Sequence, residues 1–459
     1  MKCSVDAGLR KRRLGWFLLT LVSAGAIVAS MAGRAVAQPV GNGGVQRPPA
    51  PPAPQVAPPA PQTAPQTVPQ TAPLSRLEDL GRQIFNDRNL SEPRGTACAN
   101  CHVPARGFAG NNGSRIGVAQ GSRPTSLGGR NAMSNAYIGF IPPFSFRVEH
   151  GDVDPVGGLF WDGRADTPAQ QAVAPLLNPL EMNNASVAAV MQKIAAAPYA
   201  QQFRDEFGAN IFRTPDAAFA KVGEAIAAFE KTPALQPFTS KYDQMIQGRA
   251  TLTAREANGM RVFMDPNRGN CASCHTMNPN SPNPRDSLFS DWAHYNNGIP
   301  RNREIPRNAN PSFFDLGLCG PDRSKPALGA NVPANVTIDQ FCGAFRMVSL
   351  RNVAERPAWM HNGFFKSLRD VVSFYATRNS DPVRWYGPAG VPNDVPLAYR
   401  GNVLSDRVPF NRPASAGPAL TEREIDDVVA FLRTLSDAPA PAARPAPAPA
   451  PGAGLNPFR

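Results

Sequence analysis

The chain has 459 residues, enough for two or three ordinary domains, and a formal net charge of +12. Residues 1–37 hold six Lys or Arg and one Asp, which is +5, so the rest of the chain carries +7. Spread over so long a chain, that excess makes no case for nucleic-acid binding; at most it steers an acidic partner to the surface.

The chain opens on basic residues, Lys2 and Arg10 to Arg13, followed by an apolar run from Leu14 to about Ala32. Ala35-Val36-Ala37 then supplies a small-residue cleavage motif, so residues 1–37 read as a secretory signal. The rival reading is an uncleaved anchor, against which stand the small residues of the run and the clean cleavage site. The mature protein is expected in the periplasm, without a membrane span. Residues 38–73 repeat APQT and VPQT and cannot bury a core, so they are predicted to form an extended, disordered spacer. The Pro/Ala-rich residues 438–459 are predicted to be a disordered tail, which leaves a folded body over 74–437.

Within that body the apolar spacing is helical. Leu77, Leu80 and Ile84 mark one helix, and Phe219, Val222, Ile226 and Phe229 a second. Leu368, Val371, Val372 and Tyr375 mark a third. Thr421 and Glu424 make a capping box for a fourth, with Ile425, Val428, Val429 and Leu432 as its buried stripe. No run of strand alternation stands out, and the Pro/Gly/Asn-rich 276–345 reads as loop. The expected fold is therefore mainly α with long loops. A boundary near residues 232–240 divides the body into 74–237 and 238–437.

Of seven cysteines, Cys3 falls in the signal. Four more form two C-x-x-C-H units, Cys98-Ala99-Asn100-Cys101-His102 and Cys271-Ala272-Ser273-Cys274-His275. In such a unit both cysteines add to haem vinyl groups as thioethers and the histidine lies under the iron as proximal ligand. Two matches in an exported chain predict two covalent haem c groups, one in each cytochrome c-like domain. The remaining Cys319 and Cys342 form a disulfide in an oxidising compartment, or else stay as two buried thiols.

The second axial position decides the chemistry. A second strong ligand makes an electron carrier, whereas an open face makes a catalyst. Candidate ligands are His150, His294, His361, the methionines and tyrosine, and spacing alone does not choose among them.

Several segments in order resemble the bacterial dihaem cytochrome c peroxidase family, including its MauG-like branch. They are LGRQIFNDRNLSEPRGTACANCHVPARGF (80–108), FWDGRADTPAQQAVAPLLNPLEM (160–182), AIAAFEKT (225–232) and LRNVAERPAWMHNGFFKSLRDVVSFY (350–375). The resemblance implies that the N-terminal haem meets hydrogen peroxide while the C-terminal haem passes or stores oxidising equivalents. It implies Gln171, Pro175 and Glu181 as distal-pocket residues and Trp161 as the tryptophan between the haems. Tyr375 falls where the MauG-like branch has an axial tyrosine and other members a methionine. Asn135 matches a calcium ligand, with the backbone carbonyls of Arg356 and Ala358. The electron donor implied is a small cytochrome c or copper protein, or else an oxidised protein substrate.

Elementary chemistry agrees with these roles. Heterolysis of peroxide needs a proton removed from one oxygen and delivered to the other, which a fixed carboxylate such as Glu181 does. Pro175 and Pro179 are expected to interrupt any helix between Gln171 and Glu181, leaving the carboxylate on a stiff loop. By itself a glutamate is more often a solvated charge, and Trp161 more often a packed aromatic. By periodicity alone Tyr375 is a core residue, with Met360 or Met347 as ligand instead. The family's inactive peroxidases carry a distal histidine just before a pattern like Arg130-Asn131; here Gly128 and Gly129 precede it. The first haem is thus expected to be open and catalytic, with His150 the residue most able to close it. A dihaem electron carrier and a haem-based redox sensor are the alternative functions.

Overall fold

The computed structural model describes residues 73–438. The expected signal, nearly all of the 38–73 spacer and nearly all of the 438–459 tail lie outside the described residues. In chain order the helices of the first half are α1 (Arg76–Asn86), α2 (Cys98–Cys101), α3 (Pro168–Leu177), α4 (Val187–Ala195), α5 (Ala200–Phe207) and α6 (Pro215–Glu230). Those of the second are α7 (Lys241–Ile246), α8 (Ala254–Met264), α9 (Pro306–Ala309), α10 (Leu368–Thr377), α11 (Pro382–Tyr386) and α12 (Glu422–Arg433).

Local chemistry sets the helix starts. Ser75 caps α1 and forms a reciprocal capping box with Glu78; Thr421 and Glu424 do the same for α12. The predicted stripes then bury: Leu80 and Ile84 in α1, joined by Phe85, with Leu77 half-buried; and Ile425, Val428, Val429 and Leu432 in α12, joined by Phe431. α6 is apolar on more than one face because α1, α3 and α4 all pack against it.

Strand among the described residues is confined to two antiparallel pairs, β1 (Ser145–Glu149) with β2 (Asp152–Val156) and β3 (His294–Tyr295) with β4 (Phe345–Arg346). The β1–β2 hairpin falls where the sequence showed no strand. Its register pairs Glu149 with Asp152, so the turn is only His150-Gly151, both at positive φ. A histidine replaces the usual asparagine of such a turn, and Pro155 weakens the strand signal.

Two hydrophobic clusters organise the body. One draws only on residues 77–235 and the other only on 242–435, and the boundary expected at 237/238 falls between them. Their frames repeat. α1 crosses α6 at Gly81, where an added Cβ would lie 1.9 Å from the Ala225 carbonyl oxygen. α8 crosses α12 at Gly259, where a Cβ would lie 1.9 Å from the Asp427 carbonyl oxygen. One turn on, Phe85 meets Phe229 at 5.4 Å and Phe263 meets Phe431 at 5.3 Å, both edge to face. In the long loop region Cys319 and Cys342 are disulfide-bonded with Cα atoms 5.1 Å apart. Closing that segment is worth about 3 kcal/mol of unfolded-chain entropy.

Replacing Gly81 or Gly259 with Ala must push two helix backbones apart. Each variant is expected to lose about 1–3 kcal/mol of stability, as overpacked cores do. Denaturant unfolding of the haem-loaded protein checks this, and stability equal to the native protein's in both variants refutes the close crossing.

Candidate active site

Each C-x-x-C-H unit is one turn of helix on the wall of a cavity. α2 carries Cys98 and Cys101 to the first, and a 3-10 turn, Cys271–Ser273, carries the second pair to the other. None of these four cysteines is in a disulfide, so all are free for thioether bonds. His102 Nδ1 lies 3.2 Å from the Phe108 carbonyl, and His275 Nδ1 lies 2.9 Å from that of Phe289. A carbonyl only accepts, so each ring carries its proton on Nδ1 and leaves the Nε2 lone pair for a metal. Burial pulls both imidazoles down to about 4, which keeps them neutral and ligand-competent. Paired free thiols, a neutral histidine of fixed tautomer and a lined cavity are the donor set that haem c requires, and it is present twice.

The opposite walls are also built on one plan. Leu159 bridges Ala165 across a tight loop, and Trp359 bridges Phe365 across another. Phe160 and Met360 take φ of 64° and 68° at matching points, as do Gly163 and Gly363 at 69° and 60°. A helix follows each loop, α3 after the first and α10 after the second. Pro175 and Tyr375 are then the eighth residues of their helices, at equivalent places over the two cavities. Proline has no atom that can ligate iron, whereas tyrosine carries a phenol.

The helix stops at Leu177 and leaves Glu181 on a turn, as expected, but Pro175 itself lies inside α3 and does not break it. It sits in the last turn, where the only ladder bond it removes is the one to the Gln171 carbonyl, and the helix ends two residues later. Gln171 and Pro175 consequently line the first cavity one turn apart on the same helix. Glu181 follows on the next turn and lines the same cavity, together with Trp161. Asn178 Nδ2 donates to Glu181 Oε1 at 2.8 Å. The turn is pinned by Met182 N on the Pro175 carbonyl at 3.2 Å, and by Asn184 Nδ2 on those of Leu176 at 2.8 Å and Leu90 at 2.7 Å. Burial raises the Glu181 carboxyl above the usual carboxylate range, with Arg164 and Asn178 opposing the rise.

A side chain at residue 129 has to displace the Arg307 guanidinium. A Cβ there would lie 2.2 Å from the Arg307 guanidinium carbon. Arg307 is held in place by Asp315 at 2.9 Å, Asp322 at 3.0 Å and the Gly129 carbonyl at 3.0 Å. His150 is exposed at the β1–β2 turn and is absent from the lining of either cavity. His294 Nε2 meets the Gly157 carbonyl at 2.9 Å and also lines neither. His361 lines the second cavity, stacked on Phe345 at 3.6 Å.

Tyr375 lines the second cavity with His275, accepting from Asn297 Nδ2 at 3.2 Å and stacked on Phe410 at 5.3 Å. Burial pushes its phenol up. Met347 and Met360 line this cavity too. Trp161 and Arg346 line both cavities, and Trp161 Nε1 donates to the Asn131 carbonyl at 2.8 Å. Asn135 donates through Nδ2 to Glu230 Oε1 at 2.6 Å, which leaves its Oδ1 without a hydrogen-bond donor. The Ala358 carbonyl accepts from Asn131 Nδ2 at 3.0 Å and Arg356 Nε at 3.3 Å.

Three residues of the cavities escaped the sequence reading. Arg164, packed over the Phe160 ring at 3.6 Å, stands in the FWDGRADT segment and was recoverable there. Glu230 is buried at the first cavity, raised by burial to about 8, with Oε2 unpartnered. Arg346 carried no sequence signal at all.

Two C-x-x-C-H haem sites on one repeated helical frame, the first cavity also lined by Gln171 and Glu181, define a dihaem c-type cytochrome of the peroxidase class. The family model for di-haem cytochrome c peroxidase matches residues 75–251. The methylamine utilization protein MauG of Paracoccus denitrificans is 35% identical over 79% of this chain and 88% of its own length. The cytochrome c551 peroxidase of Pseudomonas aeruginosa is 27% identical over 72% of this chain and 80% of its own. The crystal structure of the diheme peroxidase BthA from Burkholderia thailandensis is 41% identical, with TM-score 0.73, covering 82% of this chain and 90% of that one. The chain belongs to the di-haem cytochrome c peroxidase and MauG family, and it is an oxidoreductase.

The exposed position of His150 makes a definite forecast. His150→Ala should leave the ferric absorption and magnetic-resonance spectra of both haems unchanged. Loss of a low-spin bis-histidine signal in that variant shows His150 to be a ligand and overturns the placement.

Proposed function

We propose that the protein reduces hydrogen peroxide at the haem attached through Cys98 and Cys101 and shares the oxidising equivalents with the haem attached through Cys271 and Cys274. The observation that carries this reading is the equivalence of Pro175 and Tyr375 on one repeated frame. It puts a side chain without a donor atom over the first haem site at the point where the second has a phenol. The haems supply the electron transfer to and from peroxide; the chain supplies ligands, pocket shape and protons.

Gln171 and Pro175 shape the space opposite His102, and Glu181 is the acid–base group. As a carboxylate it would take a proton from one peroxide oxygen, and as an acid it would deliver that proton to the other, so no external acid is needed. A carboxyl raised by burial is suited to both halves of the exchange near neutral pH. Trp161, at the wall of both cavities, is the aromatic through which the sites communicate. Tyr375 would ligate the iron of the second haem, in preference to Met347 or Met360. A phenolate is a hard anionic donor that favours ferric iron, whereas a thioether favours ferrous. A tyrosine-to-methionine variant of the similar diheme peroxidase BthA has been crystallised. A tyrosine ligand supports the MauG-like reading, in which the protein acts on a protein substrate or takes electrons from a small cytochrome c or copper protein. The periplasm is the proposed compartment, on the strength of the N-terminal signal; among the described residues no helix is long and apolar enough to cross a membrane.

Stopped-flow mixing with peroxide tests the role of Glu181. Glu181→Gln should slow the reaction about 10²- to 10⁴-fold with both haems still attached. In the native protein the ionised base disappears as pH falls through the raised pKa. The rate should therefore drop at a pH above the ordinary carboxylate range, and the variant should lack that limb. Unchanged kinetics in Glu181→Gln reject the role.

Tyr375→Met should raise the reduction potential of the second haem and shorten the life of the peroxide-oxidised protein. Redox titration followed by optical decay kinetics reads both. If neither moves, Tyr375 is packing and a methionine is the ligand.

A further inference from the structure

Four arginines are buried among the described residues: Arg301, Arg346, Arg351 and Arg378. Three of them are provided for. Arg301 pairs with Asp394 at 3.2 Å, and Arg351 with Asp243 at 2.8 Å. Arg378 gives each guanidinium nitrogen to an oxygen, at Asn379, Asn297 and Leu404, and stacks on Phe410 at 3.7 Å.

Arg346 is different. Its Nε reaches only the Phe160 carbonyl at 3.3 Å, its Nη1 its neighbour's carbonyl at Met347 at 3.3 Å, and its Nη2 the Met133 sulfur at 3.8 Å. No carboxylate of the described residues pairs with it. The one that acts on it from a distance, Asp162, is held by Arg130 at 2.6 Å and Arg164 at 2.9 Å. An isolated buried cation is costly unless paired, and burial alone pulls this guanidinium down to about 9.

Its position shows where the missing anion belongs. Arg346 and Trp161 are the residues that line both haem cavities. The Arg346 backbone N–H donates to the Trp161 carbonyl at 2.8 Å, so the two residues are locked together at the junction. Haem carries two propionates, and these carboxylates match a guanidinium fork. We infer that Arg346 is the shared counter-ion of the two haems, binding a propionate from each cavity and coupling their reduction through one positive charge. The inference rests on the dihaem reading above and adds to it the group that holds both haems' carboxylates beside Trp161.

A cation near a haem favours the reduced iron, so removing it must lower the potential. The test is spectroelectrochemical titration of the full dihaem protein, after a pyridine haemochrome assay has counted covalent haems. Arg346→Gln should lower both potentials by at least about tenfold in each reduction equilibrium, about 59 mV for a one-electron couple. Arg346→Lys keeps the charge and should hold both near native. A fall at one haem only, or at neither, overturns the inference. Should the glutamine variant fail to fold, the lysine variant decides: losing the guanidinium fork should shift the propionate bending bands of both haems in the resonance Raman spectrum, and bands identical to native overturn the inference. Fewer than two haems per native chain overturns the dihaem reading and this inference with it, whereas two haems with unmoved potentials overturns this inference alone.

Discussion

Two glycine-mediated helix crossings set the geometry on which the rest of the molecule depends. At Gly81 of α1 against α6, and at Gly259 of α8 against α12, the backbones meet so closely that a methyl group would overlap a carbonyl oxygen. Contact at that range fixes both the angle and the axial register of each pair, because neither helix can slide without driving a side chain into the other. The register in turn brings Phe85 within 6.3 Å of the His102 ring and Phe263 within 6.5 Å of the His275 ring. The orientation of each proximal histidine thus descends from a residue with no side chain, several positions away in sequence.

On this doubled frame the two halves carry different chemistry. Matching loops carry Trp161 in one half and His361 in the other, and matching helices carry Pro175 and Tyr375. A duplicated scaffold needs only a few substitutions of this kind to give its two cavities different side chains. The backbone conformation is retained even at costly points, since Phe160 and Met360 both hold left-handed φ values that such side chains rarely adopt.

The halves are tied by polar groups removed from water. Arg130 spans Asp162 of the first half and Asp315 of the second, at 2.6 and 2.7 Å, with all three side chains nearly inaccessible. Removing one member of such a set leaves an uncompensated buried charge, at a cost of about 3–5 kcal/mol. Trp161 donates to the Asn131 carbonyl, and the Asn131 amide donates in turn to the carbonyls of Ala358 and Met360. The indole between the cavities is therefore positioned by the loop that carries Met360 and His361. Tyr137 adds a further tie, its hydroxyl donating to Asp437 at 2.8 Å.

The sequence by itself determined whatever depends on neighbours along the chain. The two C-x-x-C-H units, the capping boxes at Ser75-Glu78 and Thr421-Glu424 and the apolar stripes of α1, α6, α10 and α12 all follow from residues within a few positions of one another, and all were legible. Resemblance extended this to Glu181, Gln171, Trp161 and Tyr375, whose meaning lies in a motif and not in their own chemistry. Tertiary structure alone decided which distant groups face each other. It closed position 129 with Arg307, which follows it by 178 residues. It sent Asn135 to Glu230, it carried Pro175 inside α3, and it set Arg346 beside Trp161 without a carboxylate. The physical reason is that burial and pairing energies are properties of the folded interior. A guanidinium has the same intrinsic chemistry anywhere in a sequence, and only the surroundings chosen by the fold decide whether it is solvated, paired with an aspartate or left to meet a cofactor.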